Sequence, residues 1–171
     1  MKNRIELAKH FRKLGFKSGV EIGVSDGRYS EILCQSNPNL KLLCVDIWKK
    51  ERIYNMAVEK LKPYNTTIIR KSSVDAAKDI PDESLDFVFI DADHKYESVK
   101  ENINTWAPKV RRGGCVSGHD YYVFRWSKNS GVIDAVDEYV KKHNIHLQFT
   151  DLDKSLESRD DRRPCWYFYK E

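Results

Sequence analysis

Apolar residues form five short runs that follow one another at regular intervals along the chain. The runs are nearly continuous in Val, Ile, Leu, Phe and Cys rather than alternating with polar residues. Continuous runs of this length are typical of strands that are buried on both faces of a parallel sheet. The predicted strands are GVEIGV (19–24), KLLCVDIW (41–48), TTIIR (66–70), LDFVFIDA (85–92) and GGCVSGHD (113–120).

Helical patterns lie between and after these strands. Apolar residues recur at the spacing of one helix face before the fifth run and again after it. Alternating strands and helices predict βαβ units around an open, doubly wound parallel sheet. The apolar positions of the two clearest helices are Tyr96, Val99, Ile103 and Trp106, followed by Val132, Val136, Tyr139, Val140 and His143.

The two ends of the chain complete the predicted α/β fold. Residues 1–17 have the pattern of an amphipathic helix, and residues 19–151 form the sheet core. Two further strands, HLQFTD (146–151) and CWYFYK (165–170), are joined by a charged loop without a clear helix. Such a loop predicts that the last strand runs antiparallel to its neighbour. We therefore expect one domain over 1–171, with residues 152–171 forming the charged loop and the last of seven strands in a mostly parallel sheet.

Composition narrows the class of protein. A chain of 171 residues with 33% charged and 40% hydrophobic residues suits a single soluble globular domain. A net charge of +4 without a basic stripe does not favour nucleic acid as a binding partner. The arginine clusters RRGG (111–114) and DDRRP (160–164) are interpreted as solvated loops.

Targeting and cysteine chemistry point to the cytoplasm. No stretch reaches the length of a membrane span, and the first residues lack the apolar core of a signal peptide. Widely spaced cysteines in apolar segments are typical of reduced core residues rather than of disulfides or a zinc site. We therefore expect a cytoplasmic protein with no membrane partner. The four cysteines are Cys34, Cys44, Cys115 and Cys165.

The stretch VEIGVSDG (20–27) predicts a ligand-binding turn at the end of the first strand, which we place at Gly23. In a doubly wound sheet, ligands bind beyond the carboxyl ends of the strands. Gly23 and Gly27 would let the backbone approach a ligand, and the next helix offers free N–H groups. The dinucleotide fingerprint has a glycine where this chain has Ser25, which weighs against an NAD-linked oxidoreductase.

Two acidic residues indicate the chemical class of the ligand. Asp46 ends the second strand and can accept hydrogen bonds from ribose hydroxyls. Glu21, near the mouth, would repel phosphate and attract a cation. A nucleoside with a positive, non-phosphate tail meets both conditions, and S-adenosylmethionine is such a compound. The alternatives are that Glu21 is a surface acid on an edge strand and that Asp46 caps the next helix.

These motifs together resemble a known family. VEIGVSDG is similar to motif I of class I S-adenosylmethionine-dependent methyltransferases. The resemblance continues through CVDIW, SLDFVFIDADHKYESVKENINTW and VRRGGCVSGHDYY, covers about residues 19 to 140, and extends to RRPCWYFYK. It is closest to the small enzymes called methyltransferase domain family 24. The resemblance implies a Rossmann-like fold and S-adenosylmethionine as the cofactor.

The resemblance also assigns cofactor contacts residue by residue. The turn would wrap the methionine part, and the end of the second strand would hold the ribose and face the adenine. The family usually has an aspartate or an amide where Ser72 or Ser73 stands, and Ser73 is equally compatible with a turn or a helix cap. The implied cofactor residues are Glu21, Ile22, Gly23, Val24, Asp26 and Gly27 (methionine), Asp46, Ile47 and Trp48 (ribose and adenine), Ser73 and Val74 (adenine), and Asp91 (methionine amine or acceptor).

The acceptor side is predicted at the ends of the fourth and fifth strands. We assign catalytic roles to Asp91, His94, His119 and Asp120, which should meet at one edge of the sheet. A hydroxyl acceptor benefits from a base or a metal that removes its proton. We favour a histidine base oriented by a carboxylate. The alternative is Mg²⁺ on Asp91 and Asp120, similar to catechol-type methyltransferases, but Tyr121 replaces the asparagine of their second pair. The structural alternatives are that His119 is a buried, hydrogen-bonded side chain and that Asp93 caps the next helix.

The rim of this edge should contact the acceptor. The loop 152–163 would open there, and the segment 121–130 mixes aromatic side chains with a cation that suit a sugar, an aromatic acid or a base. The segment could instead be a hydrophobic latch. The chain lacks the proline platform of base amino-methylases, so a small-molecule hydroxyl or a sugar is preferred. The alternative function is a non-catalytic nucleoside-binding or scaffold domain. The sequence is also compatible with a homodimer. The predicted lip residues are Tyr121, Tyr122, Phe124, Arg125 and Trp126.

Overall fold

The computed structural model describes residues 1–123 and 131–171. Helices and strands alternate over most of the chain, as the apolar pattern predicts. The strands are β1 (Ser18–Ile22), β2 (Lys41–Asp46), β3 (Thr66–Arg70), β4 (Leu85–Ile90), β5 (Val110–Gly118), β6 (Gln148–Phe149) and β7 (Trp166–Tyr169). The helices are α1 (Arg4–Lys13), α2 (Arg28–Ser36), α3 (Glu51–Leu61), α4 (Ser73–Ala77), α5 (Tyr96–Trp106), α6 (Gly131–Lys142) and α7 (Arg159–Arg162), with a 3-10 turn at Ala107–Lys109.

The seven strands form one sheet in the order β3-β2-β1-β4-β5-β7-β6. Strands β1 to β5 are parallel, and β7 is antiparallel to both β5 and β6. This confirms the predicted mostly parallel, doubly wound sheet with an antiparallel last strand. The chain first winds outward from β1 to β3 and then restarts on the other side of β1 with β4. The switch point, where ligands of such sheets bind, is therefore the crevice at the carboxyl ends of β1 and β4.

Helices cover both faces of the sheet. Helices α1, α2 and α3 bury Leu7, Phe11, Leu33 and Leu61 against one face, where the aromatic side chains of β4 also pack. Helices α4, α5 and α6 bury apolar side chains against the other face. Burial on both faces explains why the strand sequences are continuously apolar. All four cysteines are buried and free, as their apolar surroundings predict.

Several boundaries differ from the predicted ones, and most strands end one or two residues early. β1 ends at Ile22, because Gly23 has a φ of 91° and turns the chain. β6 is shorter than 146–151, since its ladder ends where the Thr150 hydroxyl, and not a carbonyl, accepts the Cys165 N–H at 2.9 Å. The charged loop that was predicted without a helix contains α7. Within the described ranges, no helix combines the length and apolar character that crossing a bilayer requires.

Candidate active site

A cavity of about 560 Å³ opens at the switch point of the sheet. Its volume lies within the range of sites that hold small molecules and cofactors. The walls come from the loops after β1, β2, β3 and β4 and from the first turns of α4 and α5. The lining residues are Ile22, Gly23, Ser25, Val45, Asp46, Ile47, Lys71, Ser72, Ser73, Asp91, Ala92, Asp93 and Ser98.

Half of the predicted cofactor residues line this cavity. They are Ile22, Gly23, Asp46, Ile47, Ser73 and Asp91. The remaining ones lie behind the lining or beside it. They are Glu21, Val24, Asp26, Gly27, Trp48 and Val74.

Gly23 forms the bend that brings two strand ends together. Its φ of 91° lies in the left-handed region that favours glycine. A Cβ placed there would stand 2.1 Å from the carbonyl oxygen of Asp91, which is too close for any side chain. The bend at the end of β1 therefore packs directly on the backbone that follows β4, and only glycine permits this contact.

Asp46 fixes two loops of the cavity at once. Its Oδ2 accepts the Ser25 N–H at 2.9 Å, and its Oδ1 accepts the Trp48 N–H at 2.8 Å. Both donors belong to residues with left-handed backbones, with φ values of 52° and 37°. The N-cap of α3 is Lys50, so Asp46 does not cap the next helix. Because each carboxylate oxygen has two lone pairs, Asp46 keeps acceptor capacity for a ligand hydroxyl.

The two residues after Asp46 have opposite environments. The Ile47 side chain is 56% exposed and forms part of the cavity wall. The Trp48 indole is buried, meets the Tyr54 ring edge-on at 5.3 Å, and donates from Nε1 to the Ser25 carbonyl at 2.7 Å. Trp48 therefore supports the floor of the loop, and Ile47 offers the apolar surface.

Ser73 borders the cavity with its hydroxyl already engaged. The Ser73 Oγ donates to Asn102 Oδ1 at 2.5 Å and accepts from Trp106 Nε1 at 2.7 Å. Its neighbour Ser72 is the N-cap of α4 and accepts the Asp75 N–H at 3.2 Å. The wall after β3 therefore has a fixed shape, which depends on two α5 side chains that sequence reasoning did not identify as part of the site.

Glu21 lies beneath the site rather than at its mouth. β1 is central in the sheet, and Glu21 is 1% exposed, so it is not a surface acid on an edge strand. The Ser30 hydroxyl of α2 donates to its carboxyl group. Burial raises the pKa of Glu21 to about 8, and the hydrogen bond from Ser30 opposes that rise. The side chain is therefore largely neutral at pH 7.

The rest of the predicted turn packs on its own helices. Asp26 accepts from Lys60 Nζ of α3 at 2.8 Å, and the two charges form an ion pair. Gly27 has a φ of 82°, and a Cβ there would meet Leu61 at 3.2 Å. Val24 is buried. These residues shape the loop from behind.

The four predicted catalytic residues do come together. His94 Nε2 lies 3.5 Å from Asp91 Oδ1 and 3.2 Å from Asp120 Oδ2. His119 Nδ1 lies 3.5 Å from Asp91 Oδ2 and 3.5 Å from Asp120 Oδ1. Each imidazole thus faces both carboxylates. Asp91 also lines the cavity, so it joins the cavity to this charged cluster of Asp91, His94, His119 and Asp120.

The carboxyl groups and imidazoles of the cluster shift one another's pKa values. Burial opposes ionisation of Asp91 and Asp120, but hydrogen bonds from the imidazoles outweigh it and hold the pKa of both carboxyls below its usual value. Burial likewise disfavours the charged form of His119, but Asp120 and Asp91 raise its pKa to about 9. A hydrogen bond to Asp91 raises the pKa of His94. His119 is therefore an imidazolium at neutral pH in the free protein.

Two arginines that sequence reasoning missed also reach the cluster. Arg4 of α1 lies 3.5 Å from Asp91 Oδ2, and Arg163 lies 3.2 Å from Asp120 Oδ1. Arg163 belongs to the DDRRP run, so the interpretation of that run as a solvated loop is wrong. Its partner is more than 40 positions away in sequence, and local charge gives no sign of the contact.

The cluster contains the ligand types of a metal site, but its carboxylates are already neutralised by neighbouring cations. One ligand atom each from Asp91, His94 and Asp120 lie within 4.8 Å of one another. Carboxylates suit Mg²⁺. However, Arg4, Arg163 and the His119 imidazolium already stand 3.2–3.5 Å from the same two carboxylates. A divalent ion would have to displace these cations, so the arrangement as it stands does not fit Mg²⁺.

The rim around the cluster is partly described. Asp93 accepts the Lys95 N–H at 3.3 Å and the Ser98 hydroxyl at 3.1 Å, so it stabilises the start of α5. The Tyr121 hydroxyl donates to Asp137 at 2.5 Å, and its ring packs on Phe149. The predicted lip residues Phe124, Arg125 and Trp126 lie outside the described residues. The contact of Arg163 with Asp120 places the loop 152–163 at this edge.

The profile of methyltransferase domain family 24, described as a methyltransferase domain, matches residues 20–121. The chain belongs to this family. The match begins in β1 and ends just after Asp120, so it contains the cavity and the charged cluster. Membership confirms the resemblance that the ordered motifs indicate.

One relative of known sequence is similar over most of this chain. An uncharacterized protein, R132, of Acanthamoeba polyphaga mimivirus is 28% identical over 130 residues, which are 71% of this chain and 58% of the mimivirus protein. This chain therefore matches little more than half the length of that relative.

Two solved structures show the same fold. The O-methyltransferase of Bacillus cereus in complex with SAH has a TM-score of 0.74 and 14% identity, over 98% of this chain and 80% of that chain. The O-methyltransferase TomG of Streptomyces achromogenes, involved in tomaymycin synthesis and solved with SAM, has a TM-score of 0.72 and 14% identity over the same shares. The Rossmann-like methyltransferase fold is thereby confirmed.

Proposed function

We propose that this protein transfers the methyl group of S-adenosylmethionine to a hydroxyl of a small molecule or sugar. The observation that carries the proposal is one cavity at the switch point that holds the Gly23 bend, the Asp46 carboxylate and the Asp91 carboxylate together. A nucleoside needs a carboxylate for its ribose hydroxyls, and a sulfonium cation is stabilised by a second one. The cavity offers both acids, because Asp46 ends β2 and Asp91 follows β4, on the two sides of β1.

Family membership and the fold support the methyl-transfer chemistry. Both neighbours named above are O-methyltransferases, which favours oxygen as the acceptor atom. In the proposed reaction, the acceptor oxygen forms a bond to the methyl carbon while the bond from carbon to sulfur breaks. The products are the methyl ether of the acceptor, S-adenosylhomocysteine and the proton of the hydroxyl. The protein mainly orients the two partners and excludes water, since the sulfonium is already reactive.

The charged cluster would receive the acceptor proton. The His119 imidazolium must first lose its own proton to serve as a base. A sulfonium beside Asp91 would weaken the attraction that raises the pKa of His119, and would thereby favour the neutral ring. His119 Nε2 is buried and has no hydrogen-bond partner among the described residues. Because that nitrogen is shielded, the imidazole that a bound hydroxyl would meet is His94, which is 43% exposed and faces the same two carboxylates.

A second candidate is a nucleoside-binding domain without turnover. It is favoured by one observation, namely that both carboxylates of the cluster are already paired with arginines and imidazoles. The two functions share the cavity and differ only in chemistry. Transfer of a labelled methyl group to hydroxyl acceptors, with and without EDTA, separates them and tests the dependence on metal.

Isothermal titration with S-adenosylhomocysteine tests the cofactor assignment. We expect Asp46→Asn to weaken binding by about 1–3 kcal/mol, because a charge-assisted hydrogen bond is lost. The matched control is Asp82→Asn, which removes an exposed carboxylate that pairs with Lys109 and lies outside the cavity. An unchanged dissociation constant in Asp46→Asn, or tighter binding of NAD than of S-adenosylhomocysteine, would overturn the assignment.

A further inference from the structure

A second concave surface lies between α1 and α2, away from the cofactor cavity. It has a volume of about 840 Å³, and none of its residues lines the cavity described above. We call it the α1–α2 groove. It is formed by Ile5, Lys9, Arg12 and Lys13 of α1 and by Ile32, Gln35 and Ser36 of α2.

The helix geometry sorts the groove residues into an apolar part and a basic part. Ile5, Lys9 and Lys13 are spaced four residues apart and therefore follow one face of α1. Ile32 stands on α2, so each helix contributes an isoleucine to the groove. Lys9, Arg12 and Lys13 are exposed, and both isoleucines are partly buried.

The three cations of the groove are Lys9, Arg12 and Lys13. Among residues 1–123 and 131–171, no carboxylate lies within ion-pair distance of Lys9, Arg12 or Lys13. Many other basic side chains of the chain are paired with acids, such as Arg4 with Asp161 and Lys60 with Asp26. Among the described residues, the charge of these three side chains is therefore not neutralised by a direct ion pair.

We propose that the α1–α2 groove docks an acidic, amphipathic segment of a partner protein. Carboxylates of that segment would pair with the three cations, and an apolar side chain would lie between the two isoleucines. A groove between two helices that combines apolar contacts with one sign of charge suits a peptide that presents both features on one face. The proposal does not depend on the proposed methyl transfer, because the groove and the cavity share no residue.

The lining argues against two other anionic partners. Single-stranded nucleic acid is bound by basic grooves that also carry aromatic side chains for base stacking, and no aromatic residue lines this groove. An anionic bilayer is bound by apolar side chains that protrude from a surface. Here both isoleucines lie within a concave surface, where a flat bilayer does not reach them.

The test uses fluorescence anisotropy with a labelled synthetic peptide. The peptide has about 12 residues, which is three helical turns, with leucine on one face and glutamate beside it. We expect the wild-type protein to bind it at low ionic strength and to release it as salt is added. Lys9→Gln with Lys13→Gln should weaken binding about tenfold, and a peptide with glutamine in place of glutamate should not bind.

A matched pair of substitutions controls for net charge. Lys62→Gln with Lys141→Gln removes two exposed lysines outside the groove and should leave binding unchanged. Ile32→Asn should weaken binding through the apolar contact. The melting temperature and the S-adenosylhomocysteine affinity of each variant verify that the fold and the cavity are intact.

Several results would overturn the proposal. One is the absence of peptide binding by the wild-type protein at millimolar peptide. Another is an equal loss of affinity in the Lys62 and Lys141 control. A third is that single-stranded DNA or vesicles containing phosphatidylglycerol bind more tightly than the peptide and depend on Lys9 and Lys13, because the occupant would then be a different anion.

Discussion

At the scale of single residues, the sequence motif identifies Glu21 as a site residue, but burial in the fold determines its protonation state. The pattern marks Glu21 as unusual because it is an acid within an apolar strand. The pattern does not reveal where its carboxyl group points, since both faces of β1 are covered and an acid is buried on either one. In the structure it faces α2 and Ser30, and burial raises its pKa to about 8.

The buried carboxyl of Glu21 should make stability fall as pH rises. The folded protein holds this proton up to about pH 8, whereas the unfolded chain releases it near the ordinary pKa of 4.5. Between these values the folded state binds more protons, so the free energy of unfolding decreases by at most about 1.4 kcal/mol per pH unit. Glu21→Gln carries no titrating proton and should lose less stability over this interval.

Urea denaturation of both proteins between pH 5 and pH 8, roughly the interval between the two pKa values, measures the difference. His119, with its raised pKa, also loses stabilisation as pH rises, but it contributes equally to both proteins. The difference between the two curves therefore isolates Glu21. Parallel curves would mean that Glu21 is ionised in the folded state.

Gly23 offers a test of the close approach at the bend. Gly15→Ala should cost roughly 1–2 kcal/mol, because φ is +73° there and no atom lies within 4 Å of the new Cβ. Gly23→Ala has the same backbone cost and adds a 2.1 Å contact with the Asp91 carbonyl. We expect it to lose about 3 kcal/mol or more and to abolish S-adenosylhomocysteine binding. Equal losses in urea denaturation would contradict the contact.

At the scale of elements, α1 and the segment 151–163 form a closure beside the charged cluster. The Arg4 guanidinium bonds Asp161 at 2.6 Å and approaches Asp91, and Arg28 of α2 also pairs with Asp161. Asn3, the N-cap of α1, donates to Asp153 at 2.8 Å. The segment is charged, but α1 and α2 neutralise part of its charge. Local composition therefore predicted a solvated loop, and the distant partners explain why that prediction failed.

Removing the Asp161 charge should loosen this closure. Asp161 and Arg4 have side chains that are each 5% exposed, so Asp161→Asn leaves the buried Arg4 guanidinium with only the more distant Asp91 carboxylate, at 3.5 Å. We expect a loss of about 3 kcal/mol in the free energy of unfolding. The control is Glu51→Gln, whose pair with Arg70 is 64% and 39% exposed and should cost less than about 1 kcal/mol. If both substitutions lowered the free energy of unfolding by a similar amount in chemical denaturation, burial of the Arg4–Asp161 pair would not increase its contribution to stability.

At the scale of the whole molecule, the strand order and the placement of the site follow from the sequence to a large extent. Alternating strands and helices fix a doubly wound sheet, and strand ends gather Gly23, Asp46 and Asp91 at one edge. Contacts between distant segments do not follow from it. The arginines that meet Asp91 and Asp120, and the α5 residues that hold Ser73, depend on tertiary packing that periodicity does not encode.

The position of β7 has a consequence for biosynthesis. β7 is made after β6 and yet lies between β5 and β6. In the described part of the chain, β7 is the only strand that pairs with β6. A nascent polypeptide must therefore keep the β5 margin open, and β6 unattached, until residues 166–169 leave the ribosome. Ribosome-bound intermediates truncated before that point would expose an unprotected apolar border, which is the kind of surface that chaperones recognise during translation.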